Sequence, residues 1–428
     1  MALEKILGNQ FETEVREAFR KILGRSTTDE SLFQLDEARL KTLVTHFNPH
    51  SSNKLPQDFI VASCDGSGIE NLCHYEDNHL QLVDSALVVL DSNTKANQPM
   101  KFVDLKCLSS LNDGFLLKVF SFNHDAQDFR ESYLDFLESL LSDTDLLEVF
   151  WKYYYDTLIW EGNPPEIYSK DSLVQNIGDE IEKYLIFRRP GQSYDIHRDL
   201  RNIIELILIR RAVLSDLKIK YVILDGSLTI LEPIRGVEKG KPIARPMSDY
   251  LLRDICYQAR EKNIILVAVS KVHTIPGTLQ IAGLASSMGA KDHWFCRIPG
   301  HKDKDGELNL TKPRRYIPPE LATTYLARFY HLMPVFRIDF DYFWWSQNIR
   351  NADPALQREN EIKIFQDLDF MAHEARYYGY PCPPAFAHKD CVITWDDQLI
   401  AADRVVEIGK SLGLNERALI SPRRYIFE

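Results

Sequence analysis

The chain has 428 residues, with 51 Lys and Arg against 62 Asp and Glu and a formal net charge of −11. Hydrophobic residues make up 45% and aromatics 11%, enough to fill a core. Disorder over most of the length is excluded, and so is a uniformly basic nucleic-acid coat. No stretch is apolar enough to span a membrane: the most apolar, from Ile203 to Leu214, holds Glu205, Arg210 and Arg211. The opening MALEKILGNQFETEVREAFRKILG lacks the apolar core of a signal peptide, and the seven cysteines include no CxxC pair. The expectation is a cytoplasmic protein with reduced thiols.

Leu3, Leu7, Phe11, Val15 and Phe19 recur every four residues and predict an amphipathic helix. A second helix is expected from Asp29 or Glu30 to Phe47, followed by a linker at 46–56. Residues 1–50 are therefore read as a helical region, which packs on its own core or docks a partner or a second copy. Residues 51–428 are read as the main domain.

Phe59–Cys64 predicts a strand running into a tight turn at Asp65-Gly66-Ser67-Gly68. Leu80–Asp91 predicts a second strand, and Lys101–Cys107 and Phe115–Phe122 two more. Residues 126–187, rich in Leu, Tyr and Trp, read as a helical insertion. Then come a helix at Asp195–Leu217 and a strand at Lys220–Leu224 that ends in Asp225-Gly226-Ser227. A helix at Met247–Lys262 and a strand at Ile264–Ser270 continue the alternation, which predicts an α/β core with a mixed sheet. Residues 286–318 read as loop with a hairpin tip at 301–309, before a helix at Pro319–Tyr330 and a strand at Val335–Phe340. The remainder reads as helical: 354–378, a prolyl turn at 380–384, and one or two helices to about Leu412.

Three features carry chemistry. Asp65 and Asp225 each follow a β-rich apolar run and precede Gly-Ser. Asp-Gly is an ordinary turn dipeptide, but carboxylates at two strand ends are also what a hard divalent cation needs. Glu205 lies in IIELILI, where an unpaired carboxylate is costly, so it is expected to be paired, metal-bound or turned to solvent. Arg198 and Arg201 share its helical side and make an ion pair possible. His388 follows the rigid Pro381-Cys382-Pro383-Pro384, and Lys271 directly follows the strand ILVAVS, a good place to meet a phosphate. His373-Glu374 lacks the second histidine of a zincin, and no dinucleotide, ATP or serine-hydrolase motif is present.

Taken in order, ASCDGSGIE at 62–70, RDLRNIIELILIRRAVL at 198–214, YVILDGSL at 221–228, VAVSK at 267–271, VFRIDF at 335–340 and YPCPPAFAHKDC at 380–391 resemble the NurA nuclease family. The resemblance implies a ribonuclease-H-like mixed sheet flanked by helices, and a manganese- or magnesium-dependent DNA nuclease, with a two-metal site. It also implies a homodimer docked on a hexameric HerA-type translocating ATPase, in DNA end processing or defence against foreign DNA. Asp65, Glu205, Asp225 and His388 match the family's catalytic and metal-binding positions, and Lys271 matches a common lysine. This chain departs at Pro384-Ala385-Phe386, where Leu and small residues are usual, and in the long insertion before Glu205.

An acidic nuclease is expected to depend on a motor that already grips the DNA. The alternatives are a non-catalytic assembly or regulatory subunit of a translocase complex, and a metal-dependent phosphohydrolase of small molecules if a closed pocket replaces a groove.

Overall fold

Val, Ile and Leu fill the central strand sequences on both faces, as expected where helices cover both sides of a sheet. The computed structural model describes residues 12–21, 42, 44–50, 58–76, 78–93, 100–107, 114–123, 193–228, 247–273, 275, 277–298, 322–350, 353–415 and 418–420. The strands are β1 (Val44–His46), β2 (Ile60–Tyr75), β3 (Asn78–Asp91), β4 (Lys101–Phe102), β5 (Phe115–Asn123) and β6 (Ile219–Asp225). β7 (Ile265–Ser270), β8 (Trp294–Ile298), β9 (Ala322–Arg328), β10 (Phe336–Asp341) and β11 (Leu419–Ile420) follow. Among the described residues they form one 11-stranded sheet in the order β1-β8-β9-β10-β7-β6-β2-β3-β4, with β5 against β3 and β11 against β2. β2, β6 and β7 run parallel; β10 joins β7 antiparallel, and the outer strands continue so.

The helices are α1 (12–21), α2 (Ser193–Leu214), α3 (Met247–Glu261), α4 (Thr278–Ser287), α5 (Tyr342–Trp345), α6 (Pro354–Met371), α7 (Cys382–Cys391) and α8 (Trp395–Ser411). Alternate residues of each strand face opposite layers. Ala62, Cys64, Val222 and Leu266 pack against Leu208 and Ala212 of α2 and Ile255 and Ala259 of α3. Val61, Tyr221, Ile223, Val267 and Ile338 pack against Phe365 and Leu368 of α6 and Phe386 of α7. The expected α/β mixed sheet flanked by helices is thus what the chain forms. No helix of the described residues is long and apolar enough to cross a membrane.

Several boundaries differ from the sequence reading. Residues 44–46, expected to end a helix, are β1, and Phe47 beyond them is buried. His50 reaches Asp367 of α6 at 3.1 Å, so the described start of the expected linker, residues 46–50, packs on the core. Residues 294–298, expected as loop, are β8. Within the expected helix at 319–330, residues 322–328 are instead β9, whose ATTYLAR is buried at every position but the last because it lies between β8 and β10. A strand covered on both faces loses the period-two pattern that identifies one. The expected strand at 101–107 shortens to β4 and a 3-10 turn, and the helix from 354 ends at Met371. The insertion at 126–187 and the hairpin tip at 301–309 lie outside the described residues.

The first Asp-Gly-Ser is the most informative difference. It is no turn: β2 runs straight through it to Tyr75, pairing Asp65 with Ala86, Gly66 with Ser85 and Ser67 with Asp84 on β3. The second is a true strand end, where Gly226 takes φ +114° directly after β6.

Candidate active site at the carboxyl end of the parallel strands

In the β2–β6 ladder Cys64 lies opposite Leu224, so the next residues, Asp65 and Asp225, stand side by side at the same end of neighbouring parallel strands. Both point to the α6–α7 face, because Val61, Tyr221 and Ile223, two or four residues earlier, do so. Lys271 leaves β7 on the same side.

Glu205 comes from the opposite layer. It lies on α2, which crosses β2 over Gly66 and Gly68. A Cβ at Gly66 would lie 2.5 Å from Glu205 Oε1 and 2.7 Å from Arg201 Cγ. A Cβ at Gly68 would strike the Leu82 carbonyl oxygen and lie 2.7 Å from His197 Cε1. His197, Arg201 and Glu205 are spaced four apart and form one face of α2. The glycines let this face press onto the strand and carry a helical carboxylate around to Asp65 and Asp225, which stand where the parallel β2–β6 ladder ends.

The electrostatics follow. Burial pushes the Glu205 carboxyl up to about 8, and Asp65 and Asp225 push the same way; Arg201 and the Gly66 amide only partly offset them. Three acidic groups therefore share one neighbourhood with more negative charge than the protein neutralises. Each has a basic neighbour. Arg201 Nε lies 3.7 Å from Glu205 Oε1. Lys271 Nζ lies 3.3 Å from Asp225 Oδ2 and 4.3 Å from the centre of the Tyr380 ring. His388 Nδ1 lies 2.6 Å from Asp65 Oδ2. A carboxylate only accepts, so His388 donates through Nδ1 and its Nε2 faces away from Asp65, on a side chain 60% exposed. The Gly66 amide donates to Asp65 Oδ1 at 2.9 Å, and the Tyr380 hydroxyl donates to Asp225 Oδ1 at 3.2 Å.

All five residues singled out in the sequence, Asp65, Glu205, Asp225, Lys271 and His388, thus lie at one end of the sheet. Among the described residues, no three His, Cys, Asp or Glu side chains are gathered around a single point ready to grip an ion. The carboxylates are instead turned to their basic neighbours. The donor set itself, three carboxylates and an imidazole, is of the oxygen-rich kind that suits Mn2+ or Mg2+.

Sequence reading anticipated Arg201 as an ion-pair partner of Glu205 and missed two other supporting groups. Tyr380 stood unremarked at the head of the prolyl turn, where its spacing to Asp225 gives no signal. Asp339 of β10 is fully buried and accepts from the Leu228 amide at 3.1 Å and the Thr324 hydroxyl at 2.7 Å. It thereby ties down the segment that leaves Asp225. Behind the site, Cys64 and Cys391 are buried free thiols whose pKa values burial pushes up, Cys391 to about 12.

The sequence matches no protein-family model and no curated protein. Among solved structures, the chain is similar to the NurA nuclease from Sulfolobus solfataricus, with 12% identity, a TM-score of 0.45, and 94% of this chain and 98% of that chain covered. A second NurA structure has 9% identity and a TM-score of 0.44, covering 92% and 97%. A NurA structure with manganese has 11% identity and a TM-score of 0.39, covering 94% and 99%. At such identities the roles of individual side chains rest on this chain's own geometry.

Proposed function

We propose that the chain is a divalent-cation-dependent phosphodiesterase that cuts DNA, with Asp65, Glu205 and Asp225 as its metal-binding carboxylates. One observation supports this most: three acids, far apart in sequence, converge on one sheet end, and two glycines open the path for the third. Asp65, Glu205 and Asp225 would hold Mn2+ or Mg2+, a pair of which would supply activation of water and stabilisation of charge on the phosphate and the leaving oxygen. Lys271, 44% exposed at the rim, is placed to take a phosphate oxygen as a point charge. His388, its Nδ1 proton held by Asp65, turns Nε2 outward; with a second proton there it is an acid for the leaving oxygen, and without one that nitrogen is free to ligate a cation. Tyr380 holds Asp225 in orientation.

The reading extends to the ribonuclease-H-like class of sheet, to a homodimer in the cytoplasm, and to partnership with a hexameric HerA-type ATPase in end processing or defence. Manganese appears in the names of two of the similar NurA structures, one of them also bound to dAMP. The net charge of −11 supports dependence on a partner, since an acidic protein gains little steering towards DNA from its own field. Assays on linear duplex DNA with Mn2+, with and without the ATPase, test that dependence; equal rates contradict it.

The pairing of every carboxylate with a basic group favours one second reading, a non-catalytic assembly subunit. Asp65→Asn separates the two. The nuclease reading predicts a loss of cleavage beyond the roughly 10- to 100-fold that removing a mere supporting partner costs, with partner binding intact. Wild-type protein that binds the partner yet leaves DNA uncut under all metals supports the assembly role instead.

A further inference from the structure

The polar edge of the sheet continues past Lys271. β8 begins at Trp294, opposite Arg328 at the end of β9, and Ser270 at the end of β7 faces Arg337 at the start of β10. His293, directly before β8, therefore lies at the same end of the sheet as Asp225. From β6 to β8 there are four strand steps, roughly 19 Å at the usual inter-strand spacing.

His293 and His373 form a pair there around Asp369. His293 Nδ1 lies 3.0 Å from Asp369 Oδ1. His373 Nδ1 lies 2.7 Å from the Asp369 carbonyl oxygen and 3.5 Å from Oδ2. Both Nδ1 atoms face acceptors, so both carry protons and both Nε2 atoms turn away from Asp369. The two rings are near parallel, 10° apart with centroids at 6.2 Å, and their side chains are 23% and 41% exposed. The Asp369 side chain is only 1% exposed, and its Oδ2 has no hydrogen-bond partner. The hydrogen bond from His293 to the buried Asp369 carboxylate raises the His293 pKa and favours its charged form. Parallel rings at this separation do not converge on a single ion. In its charged form His293 carries a second proton on Nε2, which can donate to a tetrahedral oxyanion, with the His373 ring beside it.

An aromatic bridge joins this pair to the carboxylates. Tyr378, 45% exposed, sits edge-on to His373 at 5.3 Å and to Tyr330 at 4.9 Å. Gly379 then takes φ +88°, where a Cβ would lie 2.5 Å from Met333 Cγ, and the next residue is the Tyr380 that donates to Asp225. The turn thus places an exposed ring between the two polar sites.

We propose that His293 and His373, backed by Asp369, form a second phosphate-binding site, with Tyr378 stacking an unpaired base between it and the carboxylates. The site holds a single DNA strand along the sheet edge, one backbone phosphate at the histidine pair. The nature of the ligand rests on the phosphodiesterase reading above.

The test compares cleavage of a dinucleotide with cleavage of single-stranded oligonucleotides of increasing length, in full-length protein with Mn2+. In wild type, kcat/KM rises once the strand is long enough to reach the pair. In His373→Ala, His293→Gln and Tyr378→Ala, that gain from length shrinks about tenfold, the weight of one charge-assisted hydrogen bond or one stacked base, through KM and not kcat. A length gain that persists in all three variants, or long and short substrates that fall by the same factor, overturns the proposal. Fluorescence anisotropy of a labelled oligonucleotide without metal gives a readout independent of cleavage. If no substrate is cut but binding still weakens in the histidine variants, the phosphodiesterase reading fails and the phosphate site stands. Inorganic phosphate should shift the imidazole nitrogen resonances of His293 and His373; no shift with either phosphate or oligonucleotide counts against the site.

Discussion

The same tripeptide, Asp-Gly-Ser, occurs twice at this site and is built in two different ways. At 65–67 it is extended and paired inside β2, and its glycine is small so that α2 can lie across it. At 225–227 it leaves the sheet, and its glycine is required by a positive φ with nothing within 4 Å of where a Cβ would stand. One glycine serves packing and the other serves the backbone. Identical local sequence therefore gives no guide to local conformation when the neighbouring layer differs.

The sharpest way to break this comparison is Gly66→Ala. The new methyl collides with Glu205 Oε1 and Arg201, so the carboxylate must leave the site or α2 must shift. DNA cleavage should fall at least about 100-fold, the scale of an ångström's misplacement of a catalytic group, with a lower unfolding midpoint. Survival of activity within tenfold shows that Glu205 need not be where the glycine lets it stand.

Asp339→Asn probes what ties down the second tripeptide. Arg337 is 2.9 Å from the buried Asp339 carboxylate, and Asn breaks that buried ion pair while keeping the size of the side chain. Urea denaturation should show a loss of about 3 kcal/mol. A change below about 1 kcal/mol would mean that Leu228 is held by other contacts.

Gly226→Ala should cost less, about 1–2 kcal/mol from backbone strain alone, with activity of the folded protein within about tenfold of wild type. An activity loss as large as that of Gly66→Ala would erase the distinction between the two glycines. Ser67→Ala removes only a 3.3 Å hydrogen bond from the Ile393 amide and should stay within about 0.5 kcal/mol.

The legible parts of the fold were those with strong local signals. β2, β3, β6, β7 and β10 each announce themselves as β-branched runs, and α2, α3, α6 and α8 as long amphipathic or capped segments. Thr394 and Asp397, for instance, form a full capping box at the start of α8. β9 was misread because a strand buried on both faces loses its alternation, and β8 because five residues are too few to show a period. Asp65, Glu205 and Asp225 were legible because an acid that follows or interrupts an apolar run breaks its local pattern, and Lys271 and His388 because one follows a strand and the other a prolyl turn. Tyr380 and Asp339 were not, since each has an ordinary setting in its own segment and acquires its role only through residues 155 and 111 positions away.

The most direct measurement is a calorimetric titration of the full-length protein with Mn2+ at pH 7, in buffers of differing ionisation enthalpy. With its pKa pushed up to about 8, Glu205 is mostly protonated at that pH, and a cation must displace the proton to bind. Three carboxylates meeting at one site predict binding that releases about one proton, and loss of that binding in Asp65→Asn, Glu205→Gln and Asp225→Asn alike. Absence of Mn2+ binding in the wild type, or unchanged binding in all three variants, would contradict a shared cation site.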